Sequence, residues 1–261
     1  AGVGTATFDF TGETVIVTGG SSGIGRAVAR RFGDAGAAVV VADVREAPKG
    51  DGAPTDELIR DAGGEAAFVE TDVSDRADIE TAVEAAREFG GVDVMGNNAG
   101  IFRGGLFLDS DVDDFEMLFD VNVKGVFHGT QVATQDMIDR GEPGAVVNTA
   151  SISSAVAQVG QSMYNATKAA VKMLTQNAAI ELATEDIRVN AVAPGAIQTE
   201  IGGERERDSA RRQRPDVSKQ VPMSRRADPA EIAGLYLTLA SDEASFVTGE
   251  LLYADGGHTA F

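Results

Sequence analysis

The sequence predicts an α/β domain: a doubly wound parallel sheet of about seven strands, with helices on both faces. Three observations predict it. Short apolar, β-branched runs alternate with longer segments of helical period along the whole chain. The first runs are continuously apolar rather than alternating, as strands buried on both faces require. A glycine-rich turn separates the first run from the first helical segment, the usual layout of a parallel sheet with crossover helices.

The expected strands are Thr14–Thr18 (TVIVT), Ala38–Asp43 (AVVVAD), Ala66–Glu70, Val92–Asn97, Ala145–Thr149, Arg188–Ala193 and Leu251–Ala254. Helical periodicity runs through Ile24–Gly36, Asp56–Ala62, Ile79–Phe89, Phe115–Arg140, Ser162–Thr184 and Pro229–Ala240. No repeat or low-complexity linker interrupts this alternation, so residues 1–261 are read as one domain. Arg45–Pro54, rich in Gly, Pro and charge, is expected to be a loop. Ile201–Val221 is polar, has almost no apolar period, and carries Gly202-Gly203 near its start. It is the candidate substrate lid, expected to order when ligands bind.

Composition excludes several function classes. Net charge is −19, a surface that repels nucleic acid and anionic membranes. It also suits a high-salt cytoplasm, where screening makes self-repulsion tolerable. The chain has no cysteine and only His128 and His258, which closes thiolate zinc chemistry; no metal site is expected. No apolar stretch reaches membrane-spanning length. Ala1–Phe10 lacks the basic-then-apolar pattern of a secretory leader, so a cytoplasmic location is expected.

The first strand runs into Thr18-Gly19-Gly20-Ser21-Ser22-Gly23-Ile24-Gly25 and then into a helix. Glycines there allow a tight turn and close backbone approach, and the helix N-terminus offers free N–H groups to a pyrophosphate. The second strand ends at Asp43, 18 residues after Gly25. A carboxylate at that place accepts hydrogen bonds from an adenosine ribose and repels a 2′-phosphate, which favours NAD over NADP. Arg26 and Arg45 stand nearby as cations that suit a phosphate.

Tyr164 and Lys168 lie four apart in a helical segment and share a face. Oxidising an alcohol by hydride loss also requires its hydroxyl proton to leave. A tyrosinate can take that proton when a neighbouring ammonium stabilises it against an ordinary pKa of about 10. Ser151 follows the fifth expected strand at its carboxyl end, where parallel sheets bind ligands, and can hold the substrate oxygen. Ser153 and Ser154 compete for that role or serve as loop-start hydrogen bonders. Asn122 sits inside a helical segment despite its low propensity. His128 is read as a packing or interface residue, and Asp255-Gly256-Gly257 before His258 as a turn after the last strand.

Together these motifs resemble the single-domain branch of the short-chain dehydrogenase/reductase family, over nearly the whole chain. The resemblance implies a single Rossmann-like domain and hydride transfer between a nicotinamide cofactor and an alcohol or ketone. Gly19, Ser21, Ser22, Gly23, Ile24, Gly25 and Asp43 then belong to the cofactor site. Asp72-Val73 resembles the family's adenine-contacting pair. Asn97-Asn98-Ala99-Gly100 resembles its fourth-strand motif, although Gly96 stands where a bulky apolar residue is usual. Pro194-Gly195, with Ile197 and Thr199, resembles the segment that contacts the carboxamide. Asn122, Ser151, Tyr164 and Lys168 match the catalytic set, with Ser151 13 residues before Tyr164. The resemblance assigns Asn122 to a backbone distortion that positions a water leading to Lys168, and implies a homotetramer packed through the helices carrying Asn122 and Tyr164.

Substrate identity is less legible. Gln158 and Gln161, with Ser153, are candidate partners of a polyol or sugar hydroxyl. Residues 204–226 carry eight Lys or Arg, Arg205 among them, against four acids, a local balance of 8 − 4 = +4. Either an arginine pairs with a substrate carboxylate, as in a sugar acid or keto acid, or the cluster is a solvated or subunit-contact surface, the plainer reading. The expected function is therefore oxidation of a secondary alcohol or sugar-derived hydroxyl, or reduction of the matching ketone. An NADP-dependent 3-oxoacyl reductase is the alternative, although Ser22 stands where such relatives carry a basic residue. A non-catalytic dinucleotide-binding protein is the alternative of another class.

Overall fold

A computed structural model describes residues 4–198 and 221–260. Its seven strands are β1 (Thr14–Thr18), β2 (Ala38–Asp43), β3 (Ala66–Glu70), β4 (Val94–Asn97), β5 (Gly144–Thr149), β6 (Ile187–Pro194) and β7 (Leu251–Ala254). They form one sheet in the order β3-β2-β1-β4-β5-β6-β7, and every pairing is parallel. The chain reverses direction across the sheet between β1 and β4. In such sheets the crevice at the carboxyl ends beside that switch is the ligand site.

The helices are α1 (Gly23–Asp34), α2 (Thr55–Asp61), α3 (Arg76–Arg87), α4 (Val112–Phe119), α5 (Gly125–Arg140), α6 (Ser162–Leu182) and α7 (Pro229–Ala240). Two layers of core close the faces. Val15, Val17, Val39 and Val41 face Phe32 of α1 and Tyr236 and Leu237 of α7. Ile16, Val40, Met95 and Val146 face Ile79 and Val83 of α3 and Met137 of α5. Adjacent strand residues thus enter opposite cores, which explains why β1 and β2 read as unbroken apolar runs.

Beyond shifts of up to three residues at element ends, such as α3 starting at Arg76 rather than Ile79, the structure departs from the expected elements at β4 and in the helix over 115–140. Strand β4 begins at Val94 because the Val92 amide donates instead to the Asp136 carboxylate, at 3.0 Å. The expected single helix over 115–140 is divided: α4 starts earlier, at Val112, and a π-helical turn at Asp120–Lys124 separates it from α5. The Gly125 amide reaches back to the Asp120 carbonyl, one residue further than in an α-helix. Gly125 also lies where a Cβ would come within 2.6 Å of Val73 Cγ2, so only glycine lets α5 approach the loop after β3. Thr199, Arg205 and the expected lid through residue 220 lie outside the described residues. No helix among the described residues is long and apolar enough to cross a membrane.

Candidate active site

Strand β1 ends in a turn shaped by close contacts. Gly19 and Gly23 adopt positive φ, 65° and 56°. A Cβ on Gly25 would lie 2.1 Å from the Gly19 carbonyl oxygen and 2.4 Å from Asn98 Nδ2. The turn delivers the chain to the N-terminus of α1, where Ser22 is the cap residue and its side chain makes no capping bond. Those first-turn amides remain available to an anion. Asn98 secures the turn from β4: its Nδ2 donates to the carbonyls of Thr18 and Gly19 at 3.0 and 3.3 Å. The amides of Asn98 and Ala99 both donate to Thr18 Oγ1.

Asp43 ends β2 beside this turn. One carboxylate oxygen accepts from the Ser21 amide at 3.1 Å. The other oxygen has capacity for a ribose hydroxyl. The Ser21 hydroxyl is buried without a hydrogen-bond partner, a further polar atom at this end of the crevice. Arg26 is committed elsewhere, donating to Thr55 Oγ1 at 3.0 Å and to the Ala53 carbonyl at 2.8 Å. The turn, the free helix amides and the Asp43 carboxylate fit a dinucleotide.

Other expected cofactor residues line the same ends of the strands. Asp72 is exposed and accepts from the Ser74 amide and hydroxyl. Val73 is buried, and its carbonyl bonds His128 Nδ1 at 3.2 Å, so His128 anchors this loop to α5. Gly100 lies within 3.8 Å of Lys168 Nζ at its would-be Cβ. Pro194 closes β6, and the Gly195 amide donates to the Ala254 carbonyl at 3.0 Å. Ile197 is buried and bridges to Ala227. Asn97 reaches across to Asn148 Oδ1 at 2.9 Å and Asn148 continues to Thr175, tying β4, β5 and α6 together. Gly96 leaves space that a side chain would fill only by coming within 3.3 Å of the Ile16 carbonyl.

Ser151, Tyr164, Lys168 and Asn122 converge at the carboxyl end of β5. Ser151 Oγ accepts from the Ser153 amide at 3.1 Å, which leaves its own proton to donate. It lies near enough to the Tyr164 hydroxyl to favour the ionised phenol. Lys168 Nζ sits 5.7 Å from the centroid of the Tyr164 ring and donates to the Thr149 carbonyl at 2.7 Å. Asn122 lies in the π turn, fully buried; its carboxamide accepts from the Ile101 amide and donates to the Ile101 carbonyl and Thr167 Oγ1. A π turn takes one carbonyl out of the regular helical ladder, the feature the resemblance assigned to this asparagine.

Burial governs the titration of the pair. Crowding by protein raises the Tyr164 phenol to about 12, partly offset by the Ser151 hydroxyl. Burial lowers the Lys168 ammonium to about 8. At neutral pH the tyrosine is therefore a phenol and the lysine still largely charged, poised to stabilise a phenolate.

The expected substrate residues form a network of their own. Gln161 Nε2 donates to Gln158 Oε1 at 3.3 Å, and Gln158 Nε2 donates to Ser153 Oγ at 3.0 Å. Asn165 donates to Ser153 Oγ at 3.2 Å and to the Gln161 carbonyl at 3.1 Å. Ser154 Oγ donates to the Lys168 carbonyl at 2.8 Å, which makes it a support for α6. Sequence reasoning missed two residues. Phe102 meets the Tyr164 ring edge-to-face, with centroids 5.2 Å apart. Tyr236 of α7, wholly buried, hydrogen-bonds Thr149 Oγ1 from behind β5. A spacing motif signals neither: Phe102 lies in an irregular loop, and Tyr236 reads as an ordinary core position of an apolar helix. Among the described residues, no group of three or more His, Asp or Glu is arranged to hold a metal.

Comparison with known proteins follows the same lines. The family model described as enoyl-(acyl carrier protein) reductase matches residues 18–259. A 3beta-hydroxysteroid dehydrogenase 1 from Eggerthella lenta is 40% identical over 254 residues, covering 97% of this chain and 96% of that protein. Glucose 1-dehydrogenase 2 from Bacillus subtilis is 38% identical over 256 residues, 97% of each chain. A solved short-chain type dehydrogenase/reductase from Mycobacterium marinum superposes with a TM-score of 0.87 at 36% identity, covering 97% of this chain and 98% of that one.

Proposed function

Because this chain belongs to the short-chain dehydrogenase/reductase family of nicotinamide-dependent oxidoreductases, we propose that it is an NAD-dependent dehydrogenase of secondary, ring-borne hydroxyls. The reverse reaction is reduction of the matching ketone. The carrying observation is the convergence of Ser151, Tyr164 and Lys168 at the carboxyl end of β5, with the Lys168 ammonium 5.7 Å from the Tyr164 ring centroid and bonded to the Thr149 carbonyl.

Each residue has a distinct task. Ser151, its oxygen already accepting from the Ser153 amide, donates toward the substrate oxygen and holds it beside Tyr164. Tyr164 accepts the hydroxyl proton during oxidation and returns it during reduction. The Lys168 ammonium stabilises the phenolate that oxidation requires. The Thr149 carbonyl fixes that ammonium, and Asn122 holds Ile101 in the loop after β4. A bound nicotinamide supplies the hydride acceptor or donor and, when oxidised, a further positive charge. Gly19, Ser21, Ser22, Gly23, Ile24 and Gly25 would hold its pyrophosphate, and Asp43 the ribose diol; Asp72, Val73, Asn98, Ala99, Gly100, Pro194, Gly195 and Ile197 would line the remaining crevice.

The preference for NAD rests on Asp43 and on the diversion of Arg26 to Thr55 and Ala53. The ring hydroxyl rests on the two relatives, named for a hydroxysteroid and for glucose. The test is a panel of steroid, sugar, cycloalkanol and open-chain alcohols with NAD and NADP, at low and molar salt. NAD-dependent turnover of a ring alcohol supports the reading. Turnover confined to NADP and 3-oxoacyl substrates would replace it with the acyl-reductase alternative, and no turnover of any alcohol would remove it.

A further inference from the structure

We infer that Phe102 is a specificity-determining residue: its ring is the platform on which the apolar face of a cyclic substrate rests while the hydroxyl meets Tyr164. This rests on the dehydrogenase reading above and extends it to what the substrate must look like.

Four observations carry it. Phe102 is half-buried and stands edge-to-face against Tyr164 at 5.2 Å, so its ring borders the space before the phenol. Its position is fixed on both sides. Ile101, the preceding residue, is held by both its amide and its carbonyl on Asn122. Gly104, two residues on, folds back so closely that a Cβ there would lie 3.2 Å from the Phe102 ring and from the Gly160 carbonyl. The neighbouring Gly105 amide donates to Gly160 at 3.0 Å, joining the loop after β4 to the loop before α6.

The polar side chains expected to recognise a polyol are engaged with one another. Gln161 donates to Gln158, and Gln158 and Asn165 donate to Ser153. A polyol would have to break these bonds to be recognised through them. Beside the phenol and the serine, the group that meets the Tyr164 ring is a second aromatic ring, in T-shaped contact and only half-buried. An aromatic ring offers a flat apolar surface to the C–H groups of a substrate ring, and burying about 50 Å² of apolar surface there contributes on the order of a tenfold preference. An open-chain alcohol presents less contiguous surface and gives up more rotational freedom to occupy the same place.

The experiment compares kcat/KM for cyclohexanol and a 3β-hydroxysteroid with that for 2-octanol, in the native protein and in Phe102→Ala and Phe102→Tyr. The expected result is a loss of about tenfold or more on the two ring substrates in Phe102→Ala, with 2-octanol within about threefold. Phe102→Tyr, which keeps the ring, should retain the ring preference. NAD affinity by calorimetry and the pH profile for 2-octanol should be unchanged in both variants. An equal loss on all three alcohols, or a displaced pH profile, would make Phe102 a support for Tyr164 and overturn the inference. A native protein that oxidises 2-octanol as well as the ring alcohols would overturn it while leaving the dehydrogenase reading intact. A native protein inactive on every alcohol would remove both.

Discussion

Lys168 Nζ donates to the Thr149 carbonyl at 2.7 Å, the buried contact that holds the ammonium beside the Tyr164 ring. The contact joins α6 to the end of β5 at the point where Ser151 leaves the strand. It also sets up an opposition between activity and stability, because burial lowers this ammonium from the ordinary 10.5 to about 8. Between those values the unfolded chain binds a proton that the folded chain does not. Stability contributed by this group therefore rises with pH across that window, and below it the buried charge is a cost.

Lys168→Met should accordingly be more stable than the native protein at pH 7, by about 1–2 kcal/mol after the lost Thr149 bond is counted. The advantage should shrink as pH rises above about 8. Activity moves the other way. Without the ammonium, the phenol, already raised to about 12, loses its stabilising charge, and the alkaline rise of alcohol oxidation should shift to still higher pH. Thermal denaturation and rate profiles from pH 6 to about 10 check both. A variant less stable at pH 7, with an unmoved profile, would contradict this account of Lys168.

Asp43→Ser should narrow the preference for NAD over NADP by about tenfold or more, since one carboxylate hydrogen bond and one charge repulsion are removed. The Ser21 amide loses its 3.1 Å acceptor as well, so NAD affinity should fall. Arg26 remains tied to Thr55 and Ala53, and NADP should gain only modestly. Kinetics with both cofactors read this directly; a native protein that works better with NADP would contradict it.

The first two strands were legible because they are buried on both faces: TVIVT and AVVVAD admit no helical period, and each begins and ends where the sequence implies. The Tyr164/Lys168 pair was legible because a helix fixes a four-residue spacing on one face. The division of the helix read over 115–140 was not legible in the periodicity; only the resemblance placed a backbone distortion at Asn122. A π turn costs one residue of register, and Asp120-Val121-Asn122-Val123-Lys124 carries no Gly or Pro to announce it. Gln158 and Gln161 read equally as substrate partners or as each other's partners, and only the loop geometry separates these. Tyr236 was invisible for a related reason. Its apolar ring belongs to the core pattern of α7, and the hydroxyl reaches Thr149 only through tertiary packing.

Tyr236→Phe removes one buried hydroxyl and leaves Thr149 Oγ1 without that partner. It should cost about 1–2 kcal/mol, read as a fall of a few degrees in Tm. NAD affinity should not change, because Tyr236 lies behind β5, in the core shared with Phe32 and Leu237. An unchanged Tm would show that this bond adds nothing to the fold.

A homotetramer is proposed from apolar side chains left at the surface. Met173 and Ile180 of α6 and Phe127 of α5 are exposed, and the two helices are those expected to pair about a two-fold. The account predicts a homotetramer at low and molar salt, with Ile180→Glu together with Met173→Glu giving smaller species. Light scattering that shows a native monomer in both conditions would contradict it.

The central claim is that Tyr164 carries the proton of the reaction. Tyr164→Phe keeps the ring against Phe102 and beneath Lys168 and removes only the hydroxyl that Ser151 contacts. The decisive measurement is kcat for alcohol oxidation in this variant, alongside its NAD affinity by calorimetry. The account predicts a loss of about a hundredfold or more in kcat, with NAD binding unchanged. Retention of more than about a tenth of native kcat would contradict it, because a general acid/base is worth at least about a hundredfold.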